Sequence, residues 1–351
     1  MSATYGGPSP HLPVRPDWLA LHAEAALEPE LAIVDPHHHL WDHANNPYFH
    51  ADVVADAAAG HKVLATVFVE CGALYRKDGP PELASLGETE FVVRAAEASA
   101  SGAFGPCRVA AGIVGNVNLM LGDAAGAVLD AHLALAPGHF KGVRNSSVNH
   151  PEPSARGSML NAAPGMLADA DFRRGIKALA ARGLSFDAWM YHTQLDDLVD
   201  LARAFPDLPI VLNHVGGAIG IGPYAGRRDE VFRDWRVAIA RVAQCPNVVV
   251  KLGGLGMRLF GFDFADRPAP PDSAALASAW APYIEACIES FGVERAMFES
   301  NFPVDKGTCS YVVLWNAFKR IASAMSAAEK RALFAATAAR VYRLEVPGIG
   351  A

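Results

Sequence analysis

The chain is sparing with charge. Of its 351 residues 19% are Asp, Glu, Lys or Arg, and acidic residues prevail, giving a net charge of −7. With a pI near 6.0, neither nucleic acid nor an anionic membrane surface is expected as a partner. Cysteine is scarce: Cys71, Cys107, Cys245, Cys287 and Cys309 form a scattered, odd set with no C-x-x-C pair. They read as reduced thiols of a cytoplasmic protein. No apolar run approaches the roughly 20 residues that span a bilayer, and Met1–Pro16 lacks the basic start and apolar stretch of a secretory leader. Also missing are internal repeats, low-complexity tracts, and a G-x-G-x-x-G after the first predicted strand, which disfavours a doubly wound dinucleotide-binding sheet. Hydrophobic residues are plentiful, at 51%, enough for one large core in a soluble protein.

That apolar material is arranged in alternation. Eight short β-rich runs are predicted: Leu31–Asp35, Val63–Glu70, Arg108–Val114, His139–Asn145, Leu184–Tyr191, Pro209–His214, Val248–Gly253 and Arg295–Asn301. Helical patterns follow or separate them: Glu88–Ser101, Ala168–Arg182, Leu195–Phe205, Glu230–Ala243, Ala274–Phe291, Tyr311–Met325 and Ala327–Tyr342. Strands alternating with helices require a parallel sheet covered by helices, and eight repeats point to a closed (β/α)8 TIM barrel over residues 31–345. Residues 1–30 are expected to form an N-terminal arm with a short helix over Asp17–Leu27. Helix-to-strand connections are short, whereas strand-to-helix connections such as Cys71–Gly87, Ser146–Leu167 and Gly254–Ser273 are long. Long loops are thereby collected at the C-terminal face, where barrels of this kind carry their sites.

The first strand runs into Asp35-Pro36-His37-His38-His39-Leu40-Trp41. Side chains alternate along a strand, so His37 and His39 share a face and His38 turns to the other. Two imidazoles together at a strand end make half of a zinc-type site. His214, beside Gly216 and Gly217 at the end of the sixth strand, suits a third ligand. His192, past the fifth, reads as ligand, proton shuttle or helix-start residue. Arg144 closes the fourth strand and has the fork geometry for a substrate carboxylate. Lys251 lies inside an apolar run, so it must be paired or face a polar cavity. Glu70, at the end of the second strand, reads as a further ligand or acceptor, or as a partner of Lys251. The eighth strand ends in Glu299-Ser300-Asn301-Phe302-Pro303-Val304-Asp305. Asn301 cannot accept a proton, which leaves Glu299 or Asp305 as base, with Glu299 slightly preferred. Strand parity places Glu299 on the face of Asn301, one layer deeper. Aromatic residues near the presumed mouth, Trp41, Tyr48, Tyr75, Trp189, Tyr191, Phe260 and Phe302, suggest a partly apolar ring slot, with Trp41 and Tyr191 the candidates for contact with substrate.

Together these motifs resemble the amidohydrolase superfamily, in particular the amidohydrolase 2 branch, which includes lactonases. The resemblance runs from about Leu31 to Tyr342. It is carried by His37-x-His39-Leu40-Trp41, by Lys141-Gly142-Val143-Arg144 and by His214-Val215-Gly216. It departs from the branch at one place, where a Gly-Ser-Asp-aromatic-Pro pattern with a metal-binding aspartate is replaced by Glu299-Ser300-Asn301-Phe302-Pro303. The resemblance implies a metal-dependent hydrolase that opens a lactone or related carboxylated small molecule. His37, His39 and His214, with Glu70 or Glu299, would hold a divalent ion, foremost zinc, weakly bound for want of the aspartate. Two other readings are a metal-dependent non-oxidative decarboxylase of an aromatic or enoic acid, and an inactive barrel that binds a small molecule. The expected partner is a small-molecule substrate, and a barrel with an extra arm is open to pairing with a second copy of itself.

Overall fold

A computed structural model of the chain describes residues 11–157 and 159–349. The first ten residues of the expected arm lie outside the described residues. Eight parallel strands occur in sequence order: β1 Ala32–His38, β2 Lys62–Val69, β3 Arg108–Gly115, β4 Phe140–Arg144, β5 Ser185–Ala188, β6 Ile210–Leu212, β7 Val248–Leu252 and β8 Ala296–Phe298. Each pairs with the next. The seam between β8 and β1 is closed by bonds just past the strand ends: Asn301 N–H donates to the His37 carbonyl at 2.9 Å and His39 N–H to that of Phe302 at 2.7 Å. The result is a nearly closed (β/α)8 barrel, as the alternation predicts.

The helices are α1 Pro16–Leu19, α2 His50–Ala57, α3 Leu86–Ala100, α4 Ala125–Leu135, α5 Ala170–Ala180, α6 Leu195–Ala204, α7 Arg228–Ala243, α8 Ser273–Phe291, α9 Tyr311–Ile321, α10 Ala327–Arg331 and α11 Thr337–Val341. Asp169, Asp272, Ser310 and Ser326 cap four of them by accepting backbone N–H bonds, the role these short polar side chains play best. None of the helices among the described residues is long and apolar enough to cross a membrane.

Three sequence expectations are corrected. The helix over Asp17–Leu27 stops at Leu19, because side chains of α9 claim the following backbone. Asn316 accepts from Leu27 N–H and donates to the Ala25 carbonyl, while Lys319 Nζ donates to the carbonyls of Leu27 and Glu28. Tertiary bonds thus displace the local ladder. Helices α2 and α4 were not anticipated; α4 is too uniformly apolar to show a polar face. The last predicted helix is interrupted by wider π turns over Ala332–Ala336.

Two apolar clusters hold the barrel. The larger lies between strands and helices. The smaller fills the barrel interior with Val34, Val67, Val211, Val249 and Met297, packed against Ala335, Ala338 and Tyr342 of the C-terminal segment. This segment closes the barrel at the N-terminal ends of the strands, where Lys141 Nζ donates to the Arg343 carbonyl and Arg343 Nη2 to that of Lys141.

One buried histidine of the jacket gives a pH test. His132 in α4 bonds Ser85 Oγ at 3.1 Å and Thr89 Oγ1 at 2.9 Å, and burial holds its pKa down at about 4. Its unfolded value is 6.5, so as pH falls the unfolded chain takes up this proton first. The stability that neutral His132 contributes is complete above that value and is lost progressively toward pH 4. The stability difference between the native chain and His132→Gln, measured by urea unfolding, should therefore shrink between pH 7 and 5. Its limiting slope is about 1.4 kcal/mol per pH unit. A difference constant across that range would refute the assignment.

Candidate active site

The functional side chains gather where the strands end. His37 and His39 share a face of β1, with ring centroids 4.9 Å apart, and His37 lies 4.6 Å from His214. His38 turns away to Thr66 Oγ1 at 2.8 Å and to Phe68, as strand alternation requires. All three clustered histidines are fully or nearly fully buried.

Glu299 is the carboxylate among them. Its Oε1 accepts from His214 Nδ1 at 2.7 Å and from the His214 backbone N–H at 3.2 Å. Its Oε2 stands 2.7 Å from His37 Nδ1, yet off hydrogen-bond geometry, and has no hydrogen-bond partner at all. One donor atom from each of His37, His214 and Glu299 falls within 4.8 Å of the others. His39 adds to the group: its Nδ1 bonds the Val69 carbonyl at 2.8 Å, which places the proton there and leaves Nε2 with a lone pair. His37 has a donor at each ring nitrogen, Arg144 Nη1 at 3.3 Å from Nε2 and Lys251 Nζ at 3.3 Å from Nδ1, and as a neutral imidazole it offers a lone pair on one of the two. Two nitrogen-ligand rings, a third beside them and an orphaned buried carboxylate oxygen form a donor set suited to a zinc-type ion.

The surrounding charges set the protonation states. Burial, reinforced by Arg144 and Lys251, lowers the pKa values of His37 and His214 well below the ordinary range, and burial with Arg144 does the same for His39. The imidazoles are thus neutral at pH 7, the form that binds metal. Burial pushes the Glu299 carboxyl up to about 8, although Lys251 pulls the other way.

Lys251, in β7, donates to Asp187 Oδ2 at 2.8 Å and lies 3.3 Å from His37 Nδ1. Asp187 Oδ2 also accepts from Tyr342 Oη at 2.8 Å and Asn213 Nδ2 at 3.2 Å. Asp187 escaped the sequence reading, although the argument used for Lys251, an ion inside an apolar run, applies equally to it. Glu70 lies apart from Lys251 and instead holds Arg144, whose Nε donates to Oε1 at 2.7 Å and whose Nη2 donates to the Glu70 carbonyl.

Around this cluster opens a cavity of about 480 Å³, lined among others by His39, Trp41, Glu70, Arg144, His214 and Asn301. Trp41 is stacked between His11 and His39, 5.3 and 5.6 Å from their rings. Other expected residues lie behind it. Asp305 is fully buried; it accepts from Asn301 Nδ2 at 2.8 Å and from Gly256 N–H at 2.9 Å, and burial raises its carboxyl to about 8. The Tyr191 hydroxyl donates to the Arg156 carbonyl at 2.6 Å. His192 accepts from Ile219 N–H at 3.3 Å and packs on Tyr224. Neither Tyr191 nor His192 lines the cavity, whereas Trp189, two residues before Tyr191, does. The parity argument for Asn301 fails because β8 ends at Phe298 and Asn301 has φ +54°, which breaks the alternation.

A nearly closed parallel barrel with a histidine–carboxylate cluster at its C-terminal mouth defines a class of enzyme, and the comparisons name it. The sequence pattern of the amidohydrolase family matches residues 34–344. The chain belongs to that family. It is 35% identical over 329 residues to the uncharacterised protein y4mH of Sinorhizobium fredii, an alignment covering 90% of this chain and 99% of that one. It is 32% identical over 180 residues to an L-fucono-1,5-lactonase of Burkholderia multivorans, covering 51% of this chain and 58% of that enzyme. A crystal structure of a zinc-bound amidohydrolase from Burkholderia multivorans superposes with a TM-score of 0.66 at 26% identity, covering 90% of this chain and 100% of the other.

Glycines make room for the cluster. A Cβ on Gly254, which has φ +70°, would lie 2.4 Å from His214 Nδ1. Gly254→Ala should therefore displace the His214 ring in addition to straining the backbone by about 1–3 kcal/mol. Gly79, with φ +94° and nothing within 4 Å of an added Cβ, carries the strain alone. Metal content and turnover should fall in Gly254→Ala and persist in Gly79→Ala; equal values in the two proteins would contradict this account of His214.

Proposed function

We propose that the protein is a metal-dependent hydrolase of a small cyclic ester, a lactone. The observation that carries this reading is the His37–His214–Glu299 cluster with its unpartnered carboxylate oxygen, placed against a cavity at the barrel mouth. The relationship to a lactonase and to a zinc-bound amidohydrolase supports it. His37, His39 and His214 would hold a divalent ion, zinc foremost, with Glu299 contributing the negative charge of the set. When bound, such an ion supplies Lewis acidity and makes water a nucleophile near neutral pH.

The chain's own groups do the rest. Glu299 Oε2, free of hydrogen bonds, takes the proton of the attacking water, while Oε1 keeps the His214 ring oriented. Arg144, fixed by Glu70 at the cavity wall, presents a permanent positive charge to the carbonyl oxygen or to a carboxylate on the substrate. Lys251 is completely buried; it positions His37 from below and does not reach substrate. Asp305 anchors the Asn301 amide through Nδ2, which leaves the Asn301 carbonyl oxygen as the acceptor offered to the cavity. Trp41 forms an apolar wall over His39.

The reading is tested with a panel of sugar, pyrone and alkyl lactones followed by acid release, alongside elemental analysis. His37→Ala with His214→Ala should abolish both turnover and bound metal while the fold remains. Glu299→Gln, which preserves shape, should lower kcat by about 10²–10⁴, the range of general-base catalysis. Full turnover in either protein would overturn the scheme.

A further inference from the structure

Resting on the hydrolase reading above, we propose that the substrate carries an apolar substituent, which lies in a side arm of the catalytic cavity. The arm is a second cavity of about 280 Å³. It shares His11, Met159, Trp189, Met257 and Val304 with the lining of the catalytic cavity, so the two adjoin along these side chains. Its remaining wall is supplied mainly by Leu12, Ile221 and Leu259.

Trp189 fixes the distance between arm and chemistry. Its ring stands edge-on to the His214 imidazole, with centroids 4.7 Å apart. A group in the arm that packs on that indole therefore lies within a ring's breadth or so of His214, a distance suited to a substituent borne on a lactone ring. The arm is not an anion site, although two arginines border it. Arg258 is bound through both terminal nitrogens to Asp266 at 2.9 and 2.7 Å. Arg156 donates from Nε to the His150 carbonyl at 2.7 Å and from Nη2 to that of Pro151 at 2.8 Å. With Arg258 neutralised by Asp266 and Arg156 held by backbone carbonyls, the arm's apolar wall of Leu12, Ile221 and Leu259 favours an apolar group over water. A bare polyhydroxylated lactone would leave it without complementary contacts, so selectivity should favour alkyl- or aryl-substituted rings.

The experiment uses the full-length zinc-loaded protein and δ-lactones bearing methyl, propyl and pentyl groups on the carbon next to the ring oxygen. Each is matched by the corresponding δ-lactam, which resists hydrolysis and reports binding alone by calorimetry. Lactam Kd should fall by about fourfold per added methylene, and kcat/KM of the lactones should rise in step. Ile221→Trp, which fills the arm, should flatten both series. Leu259→Asn serves the same purpose should Ile221→Trp fail to fold. A flat lactam series, or one unaltered in both variants, would overturn the arm. Lactams that tighten with chain length beside lactones that are never opened would leave the arm standing and remove the hydrolase reading. Lactones opened without regard to chain length would do the reverse.

Discussion

A carboxylate with no exposure to water, flanked by two imidazoles, is the constraint around which this barrel is organised. Burying Glu299 is costly unless each charge near it is answered, and the answers run down the barrel axis. Lys251 lies between the His37 ring and Asp187, and Asp187 is held in turn by Tyr342 and Asn213. The chain thus ties the segment that closes one end of the barrel to the histidines at the other. Arg144 and Glu70 form a second pair at the cavity wall. Three carboxylates, Glu70, Asp187 and Glu299, face two cations, Arg144 and Lys251, while the histidines are neutral. The interior carries an excess of negative charge that a proton on Glu299 or a bound cation relieves. Burial itself raises the Glu299 carboxyl, with Asp187 adding to the shift and Lys251 and Arg144 opposing it, and a divalent ion would oppose it further.

The backbone bends to serve the same cluster. His214, Val215 and Asn301 have φ of 51°, 47° and 54°, a left-handed region that non-glycine residues rarely occupy and that gathers at functional sites. These turns follow directly on β6 and β8. They free His214 and Asn301 from strand alternation and turn both toward the cavity. Rigid strands supply His37, Lys251 and Arg144, and strained turns supply the groups that a regular strand would point elsewhere.

The division between strand and turn also decides what could be read without coordinates. His37 and His39 were legible because side chains two apart at a strand end share a face, which holds here despite the irregular pairing of β1 with β2 between Asp35 and His38, and Arg144 and Lys251 because an ion in an apolar run demands a partner. Asp187 meets the same test, but its run ends in the aromatic sequence Trp189-Met190-Tyr191, whose polar hydroxyl, on Tyr191, is the more visible feature in sequence and bonds the Arg156 carbonyl. Trp189, the indole that does border both cavities, carries no polar signal in sequence. The helix expected over Asp17–Leu27 gave way to bonds from Asn316 and Lys319, nearly three hundred residues on, and no local pattern records such a contact. The barrel itself was plain from the alternation of short apolar runs with helices, since that rhythm depends on the whole chain.

The same distinction explains the altered end of β8. The pattern of the amidohydrolase 2 branch that the sequence resembles has Gly-Ser-Asp where this chain has Glu299-Ser300-Asn301, so against that pattern the acid stands two residues earlier. Two features of the structure accommodate the exchange. Gly253 faces Glu299: a Cβ there would lie 2.4 Å from the Glu299 carbonyl oxygen and 2.5 Å from its Cγ, so both the backbone and the side chain at 299 press on a neighbour that has no Cβ. Asn301 Nδ2 bonds Asp305 at 2.8 Å; an aspartate at 301 would set two carboxylates face to face and force a proton onto one of them. A neutral amide at 301 keeps Asp305 satisfied and leaves Glu299 as the one carboxyl group that bonds His214. Residues 253 and 299 thus form one contact and residues 301 and 305 another, and exchanging either member of a pair alone disturbs its partner, so the two changes within a pair should not be additive.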